Sequence, residues 1–157
     1  MSAALPPETT DQLVWMAFDR CPTGLIVVDA AGSMVYANHE IERLFGYGRA
    51  ELLGASVEML VPDDLAAGHA KHRSFYHAMP TPRPMGAGRD LAGRHKDGRL
   101  IPIEIGLSPM ATASGRFVAA TVVDISARRQ LEARLRQPHK LEALGSLASG
   151  IAHDLNN

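Results

Sequence analysis

A single cysteine, Cys21, is present in this chain of 157 residues. No disulfide can close within one chain and no Cys-x-x-Cys metal site can form, so a reducing compartment is the natural setting. Net charge is nearly absent too, since 16 Lys+Arg against 17 Asp+Glu leave −1. That balance lacks the basic footprint of a nucleic-acid binder or of a protein drawn to an anionic membrane surface. The longest apolar runs span a few residues, far short of the roughly 20 needed to cross a bilayer. Residues 1–10 show no basic start followed by an apolar stretch, so they do not read as a signal peptide. The expected location is cytoplasmic, with no membrane contact within the chain. What the chain does have is 46% apolar residues. That suffices for one domain of ordinary size plus a helical extension.

Residues 1–10, with Pro6 and Pro7 and no periodicity, read as a disordered lead-in. Asp11 is placed to cap a short helix whose apolar face holds Leu13, Val14, Met16, Ala17 and Phe18, ended by Pro22. Leu25-Ile26-Val27-Val28, then Asp29-Ala30-Ala31-Gly32, then Met34-Val35-Tyr36-Ala37 spell two strands and a glycine turn. Asn38 begins a short helix that Gly46 ends as a left-handed cap. Arg49 to Leu60 reads as a further helix and turn, in which Leu52 and Leu53 pack and Gly54 breaks. Pro62-Asp63-Asp64 opens a longer helix to about Ala78, with acids suited to its first turn. Past the Thr81–Pro84 loop the period changes to two. Strands are expected over Arg89–His95, Leu100–Met110 and Phe117–Ile125, joined by turns at Lys96–Arg99 and Thr112–Gly115. The sum is an α+β domain, a five-stranded antiparallel sheet with helices on one face.

After Ser126 the chain turns charged and helix-prone. Beyond Pro138, Leu141, Leu144, Ala148, Ile151 and Leu155 keep the 3-4 spacing of a coiled-coil seam. Leu131 and Leu135 are out of phase with that seam. Pro138 lies between and removes a helix hydrogen bond, so a kink or phase change is expected there.

Pro22 to Asp29, Tyr36-Ala37-Asn38, Leu44-Phe45-Gly46-Tyr47, Glu51-Leu52-Leu53-Gly54, Lys96-Asp97-Gly98 and Val123-Asp124-Ile125-Ser126 together resemble a PAS domain of the S-box type. A second stretch, residues 141–157, resembles the phosphoacceptor box of sensor histidine kinases and ends in His-Asp-Leu-Asn-Asn. The two resemblances imply a lead-in at 1–10, a PAS sensor at 11–128, a linker helix at 129–140, and a truncated first helix of the dimerisation hairpin at 141–157. They imply His153 as phosphoacceptor, Asp154 as the carboxylate that orients and activates it, and Asn157 as the polar group that directs water in a phosphatase step. Asp124 and Arg128 stand at the junction that relays the signal in that family. The implied partners are a second copy and the receiver domain of a response regulator. ATP would be held by a domain this chain does not contain, so the fragment alone is expected to be inactive. The competing reading is a PAS interaction module that homodimerises without a ligand.

For a ligand, the pocket between sheet and long helix offers Ile26, Val28, Leu44, Leu60, Met85, Ile103, Ile105, Leu107 and Val122. These are also the obvious core. A flavin–cysteine adduct is disfavoured, because Cys21 precedes the first strand and the helix that carries the reactive cysteine in LOV domains has none. His69, with Arg89 twenty residues on, resembles the proximal ligand and ligand-sensing arginine of haem-PAS oxygen-sensor kinases. Phe75 and Arg83 stand where that group places its propionate-binding pair, leaving Arg83 alone for the task. The bland reading of His69, His72 and His77 is a polar helix face.

Overall fold

A computed structural model of the chain describes residues 7–78, 81, 83–85 and 90–135. It divides into two compact units at Asp124/Ile125.

The first unit opens with helix α1, Pro7–Asp19. It starts four residues before the expected Asp11 cap, because Pro7 suits a first helical turn, where its missing N–H has no partner to lose, and Glu8 complements the dipole there. Strands β1 (Gly24–Val28) and β2 (Met34–Ala37) form the hairpin, with a bulge that leaves Val35 over. Helix α2 (His39–Phe45) has the expected ends. Asn38 caps its start, and Gly46 closes it at φ 76°, a left-handed conformation that glycine takes without a Cβ penalty. A four-residue helix α3 (Arg49–Leu52) and a 3-10 turn (Val57–Leu60) lead to α4 (Asp63–Ala78). Here a correction is needed: Leu52 is fully buried, but Leu53 is 43% exposed.

The remaining strands are β3 (Arg83–Pro84), β4 (Leu91–Arg94), β5 (Leu100–Thr112) and β6 (Gly115–Asp124). The sheet is antiparallel, in the order β2-β1-β6-β5, and β3 and β4 share the far side of β5. Five strand positions result, as expected, with a two-residue piece added to the outermost. The last strand, β6, occupies the middle. It pairs with β1 from Gly24↔Val122 to Val28↔Val118, and with β5 along its whole length.

One face of the sheet carries the core. Ile26, Val28, Ile101, Ile103, Val118 and Val122 pack against Ile41, Leu44, Phe45, Leu52, Leu60 and Tyr76 of the helical segment. Not every helix lies on that side. Tyr36 pairs with Val27, which alternates with the buried Ile26 and Val28 and so faces the other way. The Trp15 ring of α1 lies 5.6 Å from the Tyr36 ring. So α1 reaches the outer face, which corrects the expectation of helices on one face only.

Two polar devices tie these elements together. Asn38 is fully buried. Its Oδ1 accepts from the Leu25 and Ile41 N–H groups, at 2.9 and 3.3 Å. Its Nδ2 donates to the carbonyls of Phe18, Thr23 and, more weakly, Cys21, at 3.1, 2.9 and 3.5 Å. One amide therefore joins α1, the following linker, β1 and α2. At the other end, the Lys96-Asp97-Gly98 turn is fastened to α2 and α3. The Lys96 N–H donates to the Phe45 carbonyl at 2.9 Å, and its ammonium reaches Glu51 at 2.7 Å.

In the second unit residues 126–135 are helical, beginning with the Arg129 N–H to Ile125 carbonyl bond of 3.0 Å. Pro138 and the expected coiled-coil seam at 141–157 lie outside the described residues.

Candidate functional site

The wall facing the sheet is the 3-10 turn together with α4. Along α4 the better-covered residues are Ala66, His69, Ala70, Arg73 and Tyr76, one stripe at helical spacing. A polar imidazole and a guanidinium on such a stripe need an acid, and Glu58 supplies it. Its Oε1 lies 3.2 Å from His69 Nδ1 and 2.9 Å from Arg73 Nε, and Ser56 Oγ also donates to its carboxylate. Burial by itself would raise the Glu58 carboxyl. The hydrogen bonds from Ser56, Arg73 and His69 outweigh it and hold the group at about 2. Arg73 continues to the Ala30 carbonyl at 3.3 Å. Its guanidinium lies over Gly32, where φ is +89°. Glycine takes that left-handed turn without a Cβ penalty.

A second clamp holds the start of α4. Arg94 Nη1 reaches Asp63 at 2.7 Å and Nη2 donates to the Met59 carbonyl at 3.1 Å. This wall is thus held to the rest of the domain by ion pairs as well as by packing. Such pairs respond to charge in a way that packing does not.

Of the expected pocket residues, Ile103 is buried, while Ile105 and Leu107 are half-buried on the same face of β5. Met85 is half-buried, and its N–H donates to the Ile105 carbonyl at 2.8 Å. His69 lies on α4, paired with Glu58 of the 3-10 turn, and His72 is exposed. Asp124 ends β6 opposite Ile103, and Arg128 lies 3.8 Å from Glu132 on the helix at 126–135. Arg89, His153, Asp154 and Asn157 lie outside the described residues. Glu58, Arg73 and Arg94 were not singled out by the sequence. The available signal was the pairing of His69 and Arg73 one turn apart beside Ala66 and Ala70.

Haem is the cofactor to test against this wall. His69 Nδ1 is engaged by a carboxylate, the arrangement that orients a metal-bound imidazole and fixes which nitrogen binds. Nε2 is then the nitrogen that would hold the iron, and Glu58 would set the ring's orientation and basicity. The donor set fits at that one residue. Among the described residues no group of three or more His, Cys, Asp or Glu is placed to hold a metal ion. Reconstitution with haem gives the measurement: if iron is taken up through His69, the Soret band is lost in His69→Ala and kept in His72→Ala. A band undiminished in His69→Ala removes His69 from the site.

The Glu58 cluster also sets a pH dependence. Its folded value of about 2 is below the ordinary 4.5. The stabilisation is therefore complete above the ordinary value and disappears as pH falls from 4.5 toward 2. Glu58→Gln is expected to lower stability by about 1–3 kcal/mol at neutral pH. Denaturation curves of variant and parent should converge as pH falls through that window.

The PAS fold family matches residues 17–125, and the chain belongs to it. Among curated proteins it is 30% identical over 142 residues to the sensor protein FixL of Bradyrhizobium diazoefficiens, covering 86% of this chain and 28% of that one. It is 28% identical over 153 residues to the signal transduction histidine-protein kinase AtoS of Escherichia coli, covering 90% of this chain and 22% of that one. The chain thus spans about a quarter of the length of these relatives. The PAS domain of an HTR-like protein from Haloarcula marismortui superimposes with a TM-score of 0.63 at 21% identity, over 75% of this chain and 93% of that one. No helix among the described residues is long and apolar enough to cross a membrane.

Proposed function

We propose that this chain is the sensing and dimerising segment of a two-component sensor histidine kinase, with His153 as the phosphate-accepting residue. The observation that carries the reading is a PAS fold over residues 17–125 whose curated relatives include a sensor protein and a histidine-protein kinase. The phosphoacceptor-like box at 141–157 follows it in the same chain.

In this reading two copies pair through the seam of Leu141, Leu144, Ala148, Ile151 and Leu155. That spacing leaves His153 on the flank of the coiled coil, open to solvent. A ring nitrogen of neutral His153 attacks the γ-phosphorus of ATP held by a domain outside this chain. The N–P bond forms as the bond to the departing ADP oxygen breaks. Asp154 hydrogen-bonds the imidazole and offsets the positive charge that develops on it. The phosphoryl group then passes to the receiver domain of a response regulator, and Asn157 orients water for the opposing phosphatase step, in which the receiver's phosphate is hydrolysed and leaves as inorganic phosphate. Asp124 and Arg128 flank the step through which changes at the sheet reach the helices, and the phase break at Pro138 is the two-state element there. We place the segment in the cytoplasm, where ATP and receiver domains are found.

The second reading, a homodimerising PAS module without phosphotransfer, draws on the exposed apolar side chains of α1. Supplying the histidine-kinase ATP-binding domain in trans, to a chain extended through the whole hairpin, separates the two. Acid-labile phosphate on His153 is expected; a dimer that never takes up phosphate returns the chain to the second reading.

A further inference from the structure

We propose that α1 is a two-position arm, latched to the domain by Arg49 and Tyr36 and pivoting on Asn38. Three observations lead there.

First, the helix is held down by little. Trp15 is 62% exposed, and Leu13, Val14, Met16 and Phe18 are each about half exposed. An apolar helix so sparsely covered gains little from burial, since the gain scales with the area removed from water. Its contacts with the latch residues are the tilted Trp15–Tyr36 ring pair at 5.6 Å and the Arg49 Nη2–Asp19 ion pair, whose partners are both more than a third exposed. Exposed pairs of that kind contribute little to stability.

Second, the latched position carries a penalty. Tyr36 Oη and Arg49 Nε are both buried, and neither has a hydrogen-bond partner among the described residues. Polar atoms removed from water without a partner destabilise the state that buries them. Burial, followed by the charge of Asp19, pushes the Tyr36 phenol above its ordinary value, as expected for a hydroxyl in poorly solvating surroundings. Tyr36 and Arg49 both contact α1, so lifting the helix opens the two atoms toward water.

Third, the pivot is secure. Asn38 is fully buried and holds the Thr23 carbonyl at 2.9 Å, on the domain side of the linker. Its bond to the Phe18 carbonyl, at 3.1 Å, is on the arm side. Breaking the latter frees α1 while the former keeps β1 in place. The weak latch, the penalised docked position and the fixed pivot together meet the needs of a switch: two positions close in free energy, with a defined hinge.

Amide hydrogen exchange on the full chain tests this, with Trp15 as a second reporter because it is the only tryptophan. In the parent protein the amides of Trp15 to Asp19 should exchange through an opening that β1 and β6 do not share. Arg49→Gln should speed them about threefold and raise quenching of Trp15 by acrylamide, with β1 and β6 unchanged. Tyr36→Phe keeps the ring contact and removes the orphaned hydroxyl, so it should slow the same amides roughly threefold. Exchange of α1 in step with β6, an Arg49→Gln effect spread evenly over the domain, or faster exchange in Tyr36→Phe would each overturn the arm. None of these outcomes touches the phosphotransfer reading, which is measured at His153.

Discussion

Asn38→Ala is expected to lower the free energy of unfolding by about 3–5 kcal/mol, the range reached when a buried hydrogen-bond network loses its centre. The size follows from what is left behind. The Leu25 N–H loses its acceptor, the Thr23 and Phe18 carbonyls lose their donor, and the space of the amide stays unfilled. The Ile41 N–H loses its cap partner as well, by itself worth about 1 kcal/mol. Urea titration measures it, read as a fall in midpoint without a change in slope. Asn38→Asp makes a sharper companion. It keeps both accepting interactions but sets a carboxylate against carbonyl oxygens in a buried place, so it should be strongly destabilising at neutral pH. It should recover in part where the acid protonates and regains a donor. A loss under about 1 kcal/mol in the alanine variant would mean that water or backbone movement replaces the amide.

The second large effect concerns phosphate. In a chain extended through the complete hairpin and supplied with the ATP-binding domain, His153→Gln is expected to abolish acid-labile labelling. Glutamine keeps the polarity and approximate size but has no nucleophilic nitrogen. Asp154→Asn should leave the acceptor in place and slow the transfer by about 10²-fold, the lower end of what a positioned proton acceptor contributes. Asn157→Ala should spare the forward transfer and reduce dephosphorylation of the partner receiver. Residual label in His153→Gln would assign the phosphate elsewhere, and the roles given to Asp154 and Asn157 would go with it.

Local features of the fold were open to reading where a residue type answers a backbone demand. The span of β2, the cap at Asn38 and the left-handed stop at Gly46 follow from such demands. The Lys96-Asp97-Gly98 turn does too, with Gly98 at φ 90° and Asp97 Oδ1 accepting the Arg99 N–H. Leu52 and Leu53 were not separable, because a four-residue helix is barely one turn and supplies no period to choose between neighbours. Ile101, Ile103, Ile105 and Leu107 alternate faultlessly, yet only the first two are buried. Alternation tells which face a side chain takes and is silent on how far the covering helices extend. His69 was visible as an imidazole on the long helix. Its carboxylate is eleven residues upstream on a different element, and no spacing rule links the two. Arg94 with Asp63, and Arg49 with Asp19, are of the same kind. The charges were legible one by one, and their pairing was decided by the fold.

The central place of β6 bears on how the protein is made. A nascent chain that has emerged only as far as β5 has a β1–β2 hairpin and a separate β4–β5 pair, with no strand between them to complete the sheet. The strand that unites them is the last one synthesised, and Gly24 must wait for Val122 before that ladder can close. Closure over so long a stretch is slow and all-or-none, since the entropy of ordering the chain is spent before the central contacts return it. Whatever is translated after Asp124 therefore emerges from the ribosome beside a sensor that has only just become able to fold. Premature termination before β6 would leave two exposed half-sheets instead of a smaller working domain.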